Sequence, residues 1–84
     1  MDQLYTDTVF ERQDFREAPL PGGEYENCQF RHCDLSGTDL SGILFVECLF
    51  SGCNLSLAQL KGTVFRDVQF KDCKMPGQAK EDHI

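Results

Sequence analysis

Residues 28–42 read CQFRHCDLSGTDLSG, which is three consecutive units of five residues. Each unit begins with a small residue, has a large apolar residue at its third position and ends on two polar or glycine residues. A helix requires apolar residues about 3.6 positions apart, and a lone strand requires alternation with a period of two. A period of five fits neither pattern, so it predicts a coil in which each unit forms one short extended side and one corner.

The same spacing extends over nearly the whole chain. Every fifth residue from Tyr5 to Met75 is Phe, Leu, Tyr or Met, and all seven phenylalanines fall in this register. A second register lies two positions earlier and contains all five cysteines, which are Cys28, Cys33, Cys48, Cys53 and Cys73. Two positions in every five are therefore expected to be buried, and a repeat at fixed spacing is typical of solenoids.

The residues after the central positions indicate turns. Ser36-Gly37 and Ser41-Gly42 follow central leucines, and Pro21-Gly22 and Pro76-Gly77 occupy the same two positions. Pro followed by Gly is typical of a type II turn, whose second central residue takes a positive φ angle. Glycine adopts that angle without steric cost, so a left-handed corner is predicted at each of these glycines.

The units Cys33-Asp34-Leu35-Ser36-Gly37 and Thr38-Asp39-Leu40-Ser41-Gly42 resemble the pentapeptide-repeat family, whose pattern is small, Asp or Asn, Leu or Phe, and two further residues. The resemblance is closest over residues 28–75 and looser over residues 3–27. It implies an all-β fold, a right-handed quadrilateral β-helix of about four coils, with four units and 20 residues in each coil.

If one coil takes 20 residues, residues 20 positions apart should stack in columns. The uniform residue types in these columns support the four-sided coil. One column is entirely phenylalanine, a second entirely aromatic and a third entirely leucine, while the fourth is mixed. Their predicted core members are Phe10, Phe30, Phe50 and Phe70; Tyr5, Tyr25, Phe45 and Phe65; and Leu20, Leu40 and Leu60. Phe15, Leu35, Leu55 and Met75 form the mixed column. We expect one domain over residues 1–77 and a C-terminal segment, 78–84, that caps the coil, forms a short helix or is disordered.

The five cysteines are best interpreted as small core residues. Their spacing lacks the close pairs of a zinc site, and parallel stacked side chains rarely present the torsion of a disulfide. Free thiols and a reducing, cytoplasmic location are therefore expected, and the resemblance to the pentapeptide-repeat family implies a protein of bacterial type. No Ser/His/Asp set, phosphate-binding loop or acid–base pair is recognisable, so neither enzymatic activity nor a cofactor is expected.

Two outward-facing sets are candidates for a surface with a function. Clustered aliphatic residues predict an interface with a protein partner or a second copy, at Leu4, Leu44, Val46, Leu49 and Val64. The end coil around Met75 is a further candidate, for an end-to-end contact. The alternative is that these residues only suit an extended backbone. A second set forms an acidic surface, made of Asp7, Glu24, Glu26, Asp34, Asp39 and Glu47.

The charge distribution excludes some partners. The 84-residue chain has a formal net charge of −6, and its acidity is concentrated in residues 1–47. A protein that binds nucleic acid directly needs a basic face to contact the phosphates. No apolar run approaches the roughly 20 residues that span a bilayer. The acidic half either imitates the charge of nucleic acid or only maintains solubility.

These features lead to two functional hypotheses. The first is a non-enzymatic interaction or structural module that associates with another protein, or forms a homodimer end to end or through a side face. The second rests on residues 27–75, which resemble the quinolone-resistance pentapeptide proteins. That resemblance implies a mimic of duplex DNA that binds type II topoisomerases, DNA gyrase and topoisomerase IV, and protects them from quinolones.

Overall fold

The computed structural model describes residues 3–74, and all regular secondary structure in this part of the chain is β-strand. Each strand has three residues and its middle residue points inward. Their bounds are β1 Leu4–Thr6, β2 Val9–Glu11, β3 Glu24–Glu26, β4 Gln29–Arg31, β5 Leu44–Val46, β6 Leu49–Ser51, β7 Val64–Arg66 and β8 Gln69–Lys71. The described residues include no helix able to cross a membrane.

The strands form two parallel four-stranded sheets, and each sheet takes one strand from each successive coil. The first side of the coil is the sheet β1-β3-β5-β7 and the second side is β2-β4-β6-β8. Every pairing joins residues 20 apart, as in Tyr5 with Tyr25 and Phe10 with Phe30. The register therefore equals four units of five residues.

Two further sides complete the coil through isolated parallel bridges. The third side is defined by Asp14, Asp34, Asn54 and Lys74, each bridged to the next, and the fourth by the bridge between Asp39 and Gln59. The right-handed quadrilateral β-helix expected from the sequence is confirmed. The predicted boundary at residue 77, the segment 78–84 and Met75 lie outside the described residues.

Ring stacking fills the interior of the first two sides. Centroids in the phenylalanine column are 4.8 Å apart for Phe10 and Phe30, 4.6 Å for Phe30 and Phe50, and 5.1 Å for Phe50 and Phe70. These distances follow the strand spacing of about 4.8 Å. The neighbouring column of Tyr5, Tyr25, Phe45 and Phe65 is also stacked and meets the first edge to face. The two columns thus combine both favourable aromatic geometries.

The remaining predicted core residues line the same interior. Leu40 is fully buried, Leu20 is 6% exposed, and Leu60 is half-buried near the end of the described stack. Burial declines at both ends of the phenylalanine column, since Phe10 and Phe70 are half-buried while Phe30 and Phe50 are fully buried. Coils at the ends have a neighbour on one side only, as expected for a solenoid.

The backbone is left-handed at most corners, and the glycine pattern predicts only some of these positions. Positive φ angles recur at every fifth residue from 7 to 72 except 17 and 22, and the four glycines Gly37, Gly42, Gly52 and Gly62 have values of 66–77°. Eight other corners have φ of 52–60° without glycine, at Asp7, Arg12, Asn27, His32, Glu47, Leu57, Asp67 and Asp72. The first five of these without glycine donate a backbone hydrogen bond to the next coil, such as Asp7 N–H to the Glu26 carbonyl at 3.1 Å. Left-handed backbone therefore recurs at the corner position in residues of very different type.

The prediction of a left-handed corner at Gly22 is wrong, since the positive φ (135°) lies at Gly23 instead. This segment contains two prolines, Pro19 and Pro21, whose fixed φ angles restrict the local backbone. The first coil departs here from the regular path. Pro76-Gly77 falls outside the described residues.

Leu57→Gly is expected to raise the free energy of unfolding by about 0.5–1 kcal/mol. A left-handed non-glycine residue costs roughly 1–2 kcal/mol, and the entropy of glycine offsets about 0.5–1 kcal/mol of the gain. Leu57 is 82% exposed, so little packing is lost. Urea denaturation followed by circular dichroism measures the change. Leu57→Ala is the control, because it removes the side chain but retains the strain; an equal gain in both variants would refute the argument.

Candidate interaction surface

The predicted interface residues occupy two adjoining sides. Leu44 and Val64 are direct neighbours in the register of the first side, and Val46 lies on the other flank of Phe45. Leu49 lies on the second side, between Gln29 and Gln69. Val64 is 44% exposed, whereas Leu44, Val46 and Leu49 are half-buried. The structure therefore places an aliphatic patch, Leu44, Val46 and Val64, on the outer face of the first side.

Three further exposed apolar residues, Leu4, Val9 and Leu57, lie outside the aliphatic patch. Leu4 is 58% exposed and belongs to the first side, in register with Glu24, which separates it from Leu44. Val9, 53% exposed, lies on the second side, and Leu57 occupies a corner. The five-residue register would have identified Leu57, because it falls in the corner position of its unit.

The predicted acidic residues do not form one surface. Asp7 and Glu47 stand in one column, which we call the acidic corner: Asp7, Asn27, Glu47 and Asp67, between the first and second sides. Glu24 and Glu26 flank Tyr25 on β3 and adjoin this corner. Asp34 and Asp39, in contrast, belong to the third and fourth sides. The predicted acidic residues therefore lie partly on the first side and the acidic corner, and partly on the third and fourth sides.

A shallow groove runs along the acidic corner. It has a volume of about 410 Å³, and its lining includes Asn27, Glu47, Asp67, Gln29 and Gln69. Within the corner, the Asn27 side-chain amide donates to the Asp7 carboxylate over 2.5 Å, so a neutral amide separates two of the acids. The groove is consequently polar and acidic, and the aliphatic patch lies on the adjoining first side.

Asp34 and Asp39 have a local structural role. The Asp34 carboxylate accepts the Ser36 hydroxyl at 2.6 Å and the Ser36 N–H at 3.0 Å, and Asp39 accepts the Ser41 N–H at 2.9 Å. Hydrogen bonds from Ser36 and Ser41 lower the pKa of the two carboxyl groups below the ordinary value. Asn54 accepts the Ser56 N–H in the same way, at 3.0 Å. These acids therefore hold corners together.

The pH dependence of stability should reflect these two carboxyl groups. Because their folded-state pKa values are depressed, their contribution is present above the unfolded value of about 3.9 and is lost as pH falls through the folded values. The Asp34→Asn/Asp39→Asn variant should keep the turns, as Asn54 does, and should lose less stability between about pH 4 and pH 2. Urea midpoints measured across this range provide the comparison. Identical pH slopes in the variant and the wild type would contradict this role.

The cysteines stack inside the corners that precede the second and third sides. All five are free thiols; Cys28, Cys33, Cys48 and Cys53 are at most 2% exposed and Cys73 is half-buried. Each thiol donates to the backbone carbonyl of an aromatic residue one coil earlier, with S···O distances of 3.1–3.5 Å. Within residues 3–74, no three metal-ligating side chains converge.

Comparison with known proteins links this architecture to one family and one solved structure. A family model described as a pentapeptide repeat region matches residues 24–79. The structure of QnrB1, described as a plasmid-mediated fluoroquinolone resistance protein, matches 84% of this chain with a TM-score of 0.70 and 26% identity. This chain spans 43% of QnrB1, less than half of that protein's length. No curated protein matches the chain.

Proposed function

The chain belongs to the pentapeptide-repeat family, and from that premise we propose that it is a non-enzymatic protein-interaction module. Its contact surface is the aliphatic patch together with the acidic corner. The filled interior carries this proposal, because Tyr25, Phe30, Leu35 and Leu40, the central residues of one complete coil, are each 0% exposed. The chemistry that this coil offers to another molecule therefore lies on its outer sides.

The surface favours a partner with apolar and basic side chains. Leu44 and Val64 provide apolar area to bury, and the neighbouring Glu47 and Asp67 provide negative charge beside it. Opposite charges around an apolar centre guide association and fix the orientation of a complex. A second copy of this chain is the alternative occupant of the same side. Five free thiols support a reducing, cytoplasmic location for either complex.

Site-specific photo-crosslinking tests the position of this surface. A benzophenone amino acid at Val64 should give discrete crosslinked products in cells, because Val64 is exposed within the patch. The same probe at Gln59, which is exposed on the fourth side, is the matched control. Identical products from both positions would contradict the proposal, and a product with twice the mass of the chain would identify self-association.

A second candidate function is a DNA mimic that binds DNA gyrase or topoisomerase IV and confers protection from quinolones. The likeness to QnrB1 over 84% of this chain supports it. So does the acidic corner, whose positions repeat about every 4.8 Å and are acidic in three coils. Asp7, Glu47 and Asp67 carry that charge, with Asn27 between the first two.

A supercoiling assay tests this second candidate. Purified protein should restore gyrase supercoiling that a quinolone has inhibited, and Glu47→Gln/Asp67→Asn should reduce the effect at least threefold. Asp34→Asn/Asp39→Asn removes the same charge from the other two sides and should leave the protection unchanged. If the wild type gives neither protection nor inhibition at excess protein, the DNA-mimic function is excluded.

A further inference from the structure

Three cysteines stand in one column along the corner between the second and third sides. Cys33, Cys53 and Cys73 each precede a residue of the bridged series Asp34, Asn54 and Lys74, so they lie in register in successive coils. The Lys74 N–H donates to the Cys53 carbonyl at 3.0 Å and fixes the alignment of the last pair. Paired parallel backbones lie about 4.8 Å apart, within the Cα separation of 4.4–6.8 Å that disulfides require. A bond between stacked cysteines additionally requires their side chains to rotate out of the parallel arrangement into the disulfide torsion.

Accessibility distinguishes Cys73 from the other thiols. Cys33 and Cys53 are each 2% exposed, whereas Cys73 is half-buried in the last coil that the structure describes. A reagent in solution therefore meets Cys73 first. The Cys53 thiol, one coil inward, is the nearest resolving group and donates to the Phe30 carbonyl at 3.1 Å, as Cys73 donates to Phe50 at 3.3 Å.

From this arrangement we propose that Cys73 is a peroxide-oxidation site and that Cys53 resolves the product to an intramolecular disulfide between adjacent coils. The Cys73 thiolate attacks hydrogen peroxide, the O–O bond breaks, and Cys73 sulfenic acid forms with release of hydroxide, which becomes water after protonation. The Cys53 sulfur then displaces the sulfenic hydroxyl as a second water molecule. Two thiols are oxidised by two electrons, and one peroxide is reduced to two waters.

The local electrostatics support the assigned roles. The interaction with the Cys53 thiol is the largest cause that lowers the pKa of the Cys73 thiol. The same contacts, with Cys33 and Cys73, raise the pKa of Cys53. Since the thiolate is the nucleophile toward peroxide, Cys73 attacks and Cys53 resolves. Sulfenic acid next to a second thiol proceeds to a disulfide.

Mass spectrometry of peroxide-treated protein tests the proposal. Reduced protein is treated with stoichiometric hydrogen peroxide, and the remaining thiols are then alkylated in denaturant. The intact monomer should lose two hydrogens and accept three alkyl groups, since two of its five cysteines are joined. Tandem spectra of the tryptic digest should link residues 72–74 to the peptide 32–61, and fragment ions of that peptide should place the link on Cys53 and alkyl groups on Cys33 and Cys48. A Cys73–Cys73 dimer, a different pair, or five alkylated cysteines would overturn the proposal.

Two cysteine variants distinguish the role of Cys53 as the resolving thiol from the general effect of removing a buried thiol. Cys53→Ala should abolish the disulfide and leave Cys73 sulfenic acid, which dimedone traps. Cys48→Ala removes an equally buried thiol from the other column and should form the disulfide as the wild type does. Ala58 already occupies the corresponding position of another unit, so alanine fits this site. An intramolecular disulfide in Cys53→Ala, or none in Cys48→Ala, would contradict the assignment.

Discussion

Phe30→Ala should lower the free energy of unfolding by about 3–5 kcal/mol. Phe30 is fully buried and stacks on both sides, with ring centroids 4.8 Å from Phe10 and 4.6 Å from Phe50. Its removal leaves a void between two coils in the middle of the stack. Since a chain of this size has a total stability of roughly 4–12 kcal/mol, the variant should lose a large fraction of it, and its urea midpoint should fall accordingly.

Phe10→Ala is the matched control for that result. Phe10 belongs to the same column but is half-buried and stacks within the column only on Phe30. Its loss should cost about 1–2 kcal/mol, because solvent already reaches part of the ring. Urea denaturation measures both variants. Equal losses would show that the column does not stabilise the coil through stacking on both sides.

Gly23→Ala should destabilise the first coil by about 2–4 kcal/mol. At Gly23 the φ angle is 135°, and an added Cβ would lie 2.5 Å from the backbone oxygen of Gln3. That same oxygen accepts the Glu24 N–H at 2.8 Å, so relief of the clash separates the first coil from the second. The added Cβ is fixed to the backbone and the Gln3 oxygen belongs to the backbone, so the clash can be relieved only by a shift of the main chain.

The neighbouring glycine provides the control. A Cβ at Gly22 would meet nothing within 4 Å, and its φ angle is not positive. Gly22→Ala should therefore change stability by less than about 0.5 kcal/mol. Hydrogen exchange adds a local measurement, because the Glu24 amide should lose protection in Gly23→Ala alone. Unchanged protection in Gly23→Ala would contradict the close approach of Gln3.

The stacked interior could be predicted from the sequence because the register has a strict spacing. Side chains 20 positions apart meet in successive coils, so the all-phenylalanine column translates directly into stacked rings. The positive φ angles at the corners are not evident from the residue types. Arg12, Glu47 and Leu57 adopt left-handed backbone without any shared side-chain property, so residue type alone does not identify these corners.

Two other features depend on three-dimensional relationships that a linear pattern does not contain. Leu20 keeps the apolar register, yet in the segment that contains Pro19 and Pro21 the positive φ lies at Gly23 rather than at Gly22. The acidic residues of the N-terminal half do not share one surface, because the four-sided coil places Glu47 and Asp34 on different sides. To predict a charged surface, each acidic residue must first be assigned to one of the four sides of the coil, since the number of charges alone does not show which of them lie together.

The central functional claim is that the aliphatic patch on the first side binds a protein partner. Leu44→Glu/Val46→Glu tests it well, because β3 already carries glutamate at both corresponding positions, Glu24 and Glu26. The fold should therefore tolerate the change. Ser56→Glu/Gln59→Glu adds the same two charges to the third and fourth sides and serves as the control.

The decisive measurement is the yield of the crosslinked product from the benzophenone probe at Val64 in these two variants. The interaction proposed for the first side predicts at least a tenfold loss of product in Leu44→Glu/Val46→Glu and no loss in Ser56→Glu/Gln59→Glu. Undiminished crosslinking in the first variant, with the coil still folded by circular dichroism, would contradict the claim.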